Sequence, residues 1–149
     1  MREMLERVAA GDLAPEQAEG MLAGRGFTDL GFAKVDTQRA ARTGAGEVVY
    51  GAGKTAEQIA KICRALAAAG QLCVLVTRLD AEKAREVERL LAQADGEAPA
   101  GLAFEYRPIP KLGIYGTIPA PARASYVAVA CAGTSDLYCA EEAAVTAEV

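Results

Sequence analysis

Between residues 30 and 106 the sequence switches repeatedly between two periodicities, and that switching narrows the possible architectures more than any other feature. Residues 30–35, 47–50, 72–76 and 102–106 are short apolar runs rich in Val, Leu and Tyr, with the length of strands. Two intervening segments carry the period of an amphipathic helix. Residues 56–69 place Ile59, Ile62, Cys63 and Leu66 on one face, and residues 81–94 do the same with Ala84, Val87, Leu90 and Leu91. A shorter helix fits residues 37–43, with Asp36 at its N-cap. Glycines 51, 53 and 70 and the turn at residues 95–99 separate these units. Strand–helix alternation on short loops predicts an α/β layer with largely parallel pairing.

The flanks read differently. Met4, Leu5, Val8 and Ala9 have helical spacing, Gly11 closes that helix, and Pro15 suits the start of a second one running to about residue 23. The expectation for residues 1–24 is therefore a helical hairpin, serving as a lid or an assembly surface. Residues 25–119 form the α/β domain. Pro108, Pro110, Pro119 and Pro121 bracket residues 111–118, which read as a stiff connector because proline removes amide donors. From residue 120 a second domain begins, with a fully apolar strand at residues 126–132, a turn, and a helix running into Val149. A buried parallel strand needs neighbours on both edges. One strand and one helix with no stop signal leave two readings: the segment packs onto the first domain's sheet, or, the preferred expectation, residues 120–149 are an incomplete domain of a longer protein.

Composition removes several functions. The 149 residues hold 16 Lys+Arg and 20 Asp+Glu, a net charge of −4, which argues against a nucleic-acid partner. The 52% apolar content is that of a globular chain. With no His there is no Ser-His-Asp triad, Cys-His dyad or HExxH zinc site. Cys63, Cys73, Cys131 and Cys139 match no metal-binding spacing and sit among apolar neighbours, so all four read as small buried hydrophobes in a reducing compartment. No leader-like or membrane-spanning run is evident, and the expected location is the cytoplasm.

Three motifs carry chemistry. Gly51, Ala52, Gly53, Lys54 and Thr55 imitate a P-loop, but Val48 stands where Walker A needs its first glycine. A helix start beside Lys54 and Thr55 still favours an anion, and a plain glycine turn fits equally. Asp36, Arg39 and Arg42 share a helical face, and Arg78 follows the third strand. Residues at the carboxyl ends of parallel strands converge at one edge, so these groups with Lys54 and Thr55 form a candidate anion site. Solvated surface ion pairs are the alternative. Gly133, Thr134, Ser135 and Asp136 join an apolar strand to a helix. Hydroxyls and free amides there suit a phosphate, and Asp136 suits a ribose; simple N-capping is the alternative. Glu141 and Glu142 read as surface residues.

Taken in order, Gly31-Phe-Ala-Lys-Val-Asp36, Arg39, Arg42, Gly44, Glu47-Val-Val-Tyr-Gly51, Gly53-Lys-Thr55, Gln58 and Thr77-Arg78 resemble the amino-terminal region of the LarB family. Ala132-Gly-Thr-Ser-Asp-Leu137 and the glutamate- and alanine-rich run 140–148 resemble the opening of its PurE-like, flavodoxin-like domain. PurE is the carboxylase of aminoimidazole ribonucleotide. The resemblance covers essentially the whole chain. It implies a role in making the nickel-pincer nucleotide. The pyridinium ring of nicotinic acid adenine dinucleotide is carboxylated with CO2, and its phosphoanhydride is hydrolysed to release AMP. It further implies Mg2+, a homo-oligomeric parent, and a substrate-binding turn at Gly133, Thr134, Ser135 and Asp136. The family's activating cysteine matches none of the four here, so no catalytic residue is carried over and the chain alone is expected to be inactive. The rival expectation is a non-catalytic nucleotide- or anion-binding module.

Overall fold

The computed structural model describes residues 2–18, 26–93, 102–121 and 125–149. Helix α1 (Arg2–Ala9) presents Met4 to Leu13 and Ala18, forming a small cluster apart from the main core. A helical turn follows at residues 15–18. The expected extension of that helix to residue 23, the end of the later helix at residue 94 and the turn at residues 95–99 lie outside the described residues.

Residues 30–35 do not form the single strand expected. Gly31 takes a left-handed φ of 81°, and Leu30 N donates to Ala33 O at 2.9 Å. The chain therefore doubles back as a two-stranded antiparallel ribbon, β1 (Thr28–Asp29) and β2 (Lys34–Val35). Helix α2 (Arg39–Thr43) ends on Gly44, again left-handed.

The main sheet has four strands in the order β3-β4-β6-β5. Strand β3 (Val48–Tyr50) runs parallel to β4 (Cys73–Thr77), pairing Tyr50 with Thr77. Helix α3 (Ala56–Ala68) connects them, and helix α4 (Ala81–Ala92) follows. Strands β5 (Phe104–Arg107) and β6 (Leu112–Gly116) form an antiparallel hairpin, and β6 pairs antiparallel with β4. The fold is α/β as expected, but parallel pairing is confined to β3 and β4.

The largest correction concerns β6. The segment expected to be a connector is a strand inside the sheet, buried over Leu112–Tyr115. Its prolines lie outside the ladder: Pro108 and Pro110 shape the hairpin turn, and Pro119 follows the exit. The five residues between retain every amide for pairing, so proline density misleads where proline position does not. Gly116 is obligatory there, because a Cβ would lie 2.1 Å from Leu72 O.

Both faces of this sheet are covered. Ile59, Cys63 and Leu66 of α3 and Val87 of α4 pack with Val74, Val76 and Leu79. On the other face Cys73, Leu75, Leu112 and Ile114 meet Val145 of helix α5 (Leu137–Glu148). Burying each such aliphatic side chain contributes about 1.5–3 kcal/mol, so β4 and β6, covered on both sides, are the centre of stability. The strand expected at residues 126–132 is not realised. Residues 125–131 join no ladder, and Tyr126 is 90% exposed. Apolar content suits that segment to a sheet, but it pairs with neither edge strand, β3 or β5. Among the described residues no helix is long and apolar enough to cross a membrane.

Candidate functional site

The parallel pair β3–β4 delivers its carboxyl ends to one edge, where the glycine turn begins. Gly51 N donates to Thr77 O at 2.8 Å, and a Cβ on Gly51 would lie 2.8 Å from that oxygen. This glycine is thus required by strand approach. Thr55 and Gln58 form a capping box: Gln58 N donates to Thr55 Oγ1 at 3.2 Å, and Thr55 N to Gln58 Oε1 at 3.0 Å. Lys54 Nζ donates to Tyr50 O at 2.9 Å and lines a cleft of about 200 Å³ with Lys34 and Glu47.

Asp36 and Arg42 form a bidentate pair, and Asp36 Oδ1 also accepts from Gln38 N at 3.1 Å. The Arg42 guanidinium holds the Asp36 carboxyl below its ordinary value. Arg39 lies on the same short helix, exposed. These groups therefore satisfy one another beside β2, and Lys54 opens on a different cleft from Arg78. The expected convergence on one anion does not occur.

Arg78 is placed otherwise. It follows β4 with a left-handed φ of 56°, and Lys111 before β6 has φ 49°. These are the described non-glycine residues with positive φ, and such a conformation costs about 1–2 kcal/mol each. One hydrogen bond joins the two positions, Leu79 N donating to Lys111 O at 2.8 Å. Tyr106 Oη then donates to Leu79 O at 2.9 Å, fixing the intervening backbone. The antiparallel β4–β6 pairing is what brings the two cations to one rim. Arg78, Lys111, Asp80, Ile109 and Tyr138 line a cleft of about 400 Å³. Asp80 Oδ1 caps α4 by accepting from Lys83 N at 2.8 Å, which holds its carboxyl below the ordinary 3.8.

Helix α5 contributes Tyr138 to this cleft, and Glu142 lines a neighbouring one that also includes Arg78. Glu142 Oε2 lies 3.1 Å from an Arg78 guanidinium nitrogen, and the Tyr138 ring centroid is 4.8 Å from that guanidinium. The turn Gly133-Thr134-Ser135-Asp136 leads directly into α5. Gly133 has φ 107°, Ala140 N donates to Asp136 O at 2.9 Å, and the Asp136 side chain makes no capping bond. N-capping by Asp136 is thus not what the turn does, and its residues are exposed beside a helix that contacts Arg78.

The thiols divide in two. Cys63 and Cys73 are buried; burial pushes the Cys63 thiol up to about 12 and raises Cys73 as well. Cys131 and Cys139 are exposed, contrary to expectation. Among the described residues no three Cys, Asp or Glu side chains are grouped as ligands for a metal ion. The carboxylates nearest Arg78 are occupied, Asp80 by the α4 cap and Glu142 by Arg78 itself.

Sequence reasoning identified Arg78 but missed Lys111, Tyr138 and Glu142. The first was hidden inside the supposed connector. The other two stand one helical turn apart immediately after the Gly133–Asp136 turn, a spacing that does signal a shared face.

A family described as LarB/PurE-like N-terminal domain matches residues 27–107, more than half of the chain. Among curated proteins no match was found.

Proposed function

This chain belongs to the LarB/PurE-like N-terminal domain family, and from that membership we propose that it is the nucleotide-holding part of a LarB-like carboxylase in nickel-pincer cofactor biosynthesis. The substrate is nicotinic acid adenine dinucleotide, whose pyridinium ring receives CO2 and whose phosphoanhydride is cleaved to release AMP. The observation that carries this reading is the family match across β1 to β5, ending one hairpin turn before Lys111.

The chemistry sorts the residues. A pyridinium carbon is electrophilic, so a nucleophile must add before the ring can attack CO2 through an enamine carbon. The ring proton then leaves and the nucleophile departs, restoring aromaticity. Cys63 and Cys73 cannot serve, being buried and protonated. Cys131 and Cys139 do not match the family's motif. We therefore assign this chain substrate binding and no covalent step. Thr134 and Ser135 donate hydroxyl hydrogen bonds to a phosphate, Asp136 accepts from ribose, and Arg78 holds a second anionic group. Asp36, Arg39 and Arg42 belong instead to the framework beside β2, and Lys54 and Thr55 to the start of α3.

Calorimetric titration with nicotinic acid adenine dinucleotide tests this. Saturable binding is expected, weakened about tenfold or more by Ser135→Ala or Arg78→Asn, as for loss of a charge-assisted phosphate contact. Adding bicarbonate should release no AMP. Absent binding, or binding indifferent to both substitutions, would overturn the assignment. AMP release by the chain itself would show that it holds the reactive groups too.

A further inference from the structure

We infer that helix α5 is a releasable cover. It opens as a unit and bares the face of β4 and β6 that carries Cys73, Leu75, Leu112 and Ile114, while the rest of the fold stays intact. The opening needs no ligand. One consequence rests on the proposed function: the Gly133–Asp136 turn leads directly into α5, so release parts that turn from Arg78. The seat of the helix then sets whether the two assigned substrate contacts stand together.

The helical covers of the sheet are built unequally. Helix α3 buries seven of its 13 residues, whereas α5 buries Val145 alone of its 12. Local opening costs the burial that the opening element makes, so α5 is the cheaper cover to lift. Its own ends do not offset this: it starts without a side-chain cap, with no acidic residue in the first turn and no basic one in the last. Residues 125–131, which lead into it, join no ladder, so sheet pairing does not anchor that approach. The cover is also incomplete. A groove of about 410 Å³ beside Thr146 and Val149 leaves Val48, Leu72 and Pro119 exposed, so solvent already borders the covered face.

Two ion pairs astride β6 supply the remaining hold. Glu142 Oε2 lies 3.1 Å from an Arg78 nitrogen just beyond β4, and Glu148 Oε2 lies 3.6 Å from Arg107 Nη1 at the end of β5. Strands β4 and β5 are the two neighbours of β6, so the helix is tied on both sides of the strand it covers. The Tyr138 ring adds a contact to the Arg78 guanidinium. Arg107 is shared with Glu105 at 3.0 Å, which loosens its tie to Glu148. All four charged side chains are partly exposed, so each pair contributes little and dissolved salt screens it. The seat of α5 thus depends on ionic strength, whereas the apolar packing of α3 does not.

Two buried thiols report the two faces of the sheet in one sample. Cys73 lies in the cluster under α5, and Cys63 in the cluster sealed by α3 and α4. The intact chain is held for hours in dilute iodoacetamide, and alkylation of each cysteine is followed by peptide mass. Cys73 should react about tenfold faster than Cys63, because its cover opens without global unfolding. Raising NaCl to about 1 M should speed Cys73 about fivefold and leave Cys63 unchanged. Glu142→Gln and Glu148→Gln should each speed Cys73 about threefold, and Val145→Ala about tenfold. Unchanged circular dichroism checks the fold of each variant, and the salt arm needs none. Equal rates at Cys73 and Cys63 would mean that α5 leaves only when the whole chain unfolds, and overturn the inference. Reagent entering through the neighbouring groove without motion of α5 would leave Cys73 indifferent to salt and to the glutamine variants, which overturns it as well. No ligand enters the measurement, so its outcome is separate from that of the dinucleotide titration.

Discussion

At the scale of single residues, the four thiols separate most sharply. Cys63 is fully buried and its thiol is pushed up to about 12, so near pH 8 it holds its proton and meets no reagent. Cys131 and Cys139 are exposed. Brief treatment of the native chain with iodoacetamide should therefore add two groups, and four once about 6 M urea has opened the core. Intact mass reads the result; a third adduct on the native chain would contradict the burial of Cys63 and Cys73. Apolar neighbours in the sequence look alike around all four. What differs is that Cys63 and Cys73 lie on elements that pack, whereas Cys131 lies on a segment without a ladder. Burial of a small side chain is a tertiary property, and local composition does not carry it.

At the scale of elements, the helices were legible and the sheet was only partly so. The inward residues of α3 were read correctly because a helix writes its buried face into the sequence at its own period. In α4, Ala84 and Val87 are fully buried and Leu90 and Leu91 partly so. A strand's neighbours are written nowhere nearby. Leu112–Gly116 was read as a connector and residues 126–132 as a buried strand, and the structure reverses the two. The anion site suffered accordingly, since Lys111 belongs to the misread element. The cap of α4 provides a quantitative check. Asp80→Ala should cost about 1 kcal/mol near pH 7, because the Lys83 amide loses its acceptor. The Asp80 carboxyl is held below its ordinary 3.8 when folded. Its contribution is therefore present above that value and lost as pH falls through the lower folded value. The gap between parent and variant in urea midpoint should narrow below about pH 4; a gap constant down to pH 2 would argue against a charged cap.

At the scale of the whole molecule, the sheet is a two-sided object with unequal covers. Helices α3 and α4 seal one face with many side chains, while α5 seals the other chiefly through Val145. Val145→Ala should lower stability by about 2 kcal/mol in urea unfolding, combining lost burial with the space left over Leu75 and Ile114. An effect under about 0.5 kcal/mol, the range of ordinary surface changes, would mean that α5 rests on the sheet without sealing it. The strand order has a consequence for synthesis. Cys73 pairs with Gly116, so β4 leaves the ribosome long before the partner that completes its ladder. At ordinary elongation rates that interval is about 2–9 s. During it, α3, β4 and α4 can assemble as a one-sided unit with an open edge and an apolar underside. Nascent chains stalled before Leu112 are the ones that should recruit a holdase chaperone, and the chain released through Val149, with β6 paired and Val145 seated, should not.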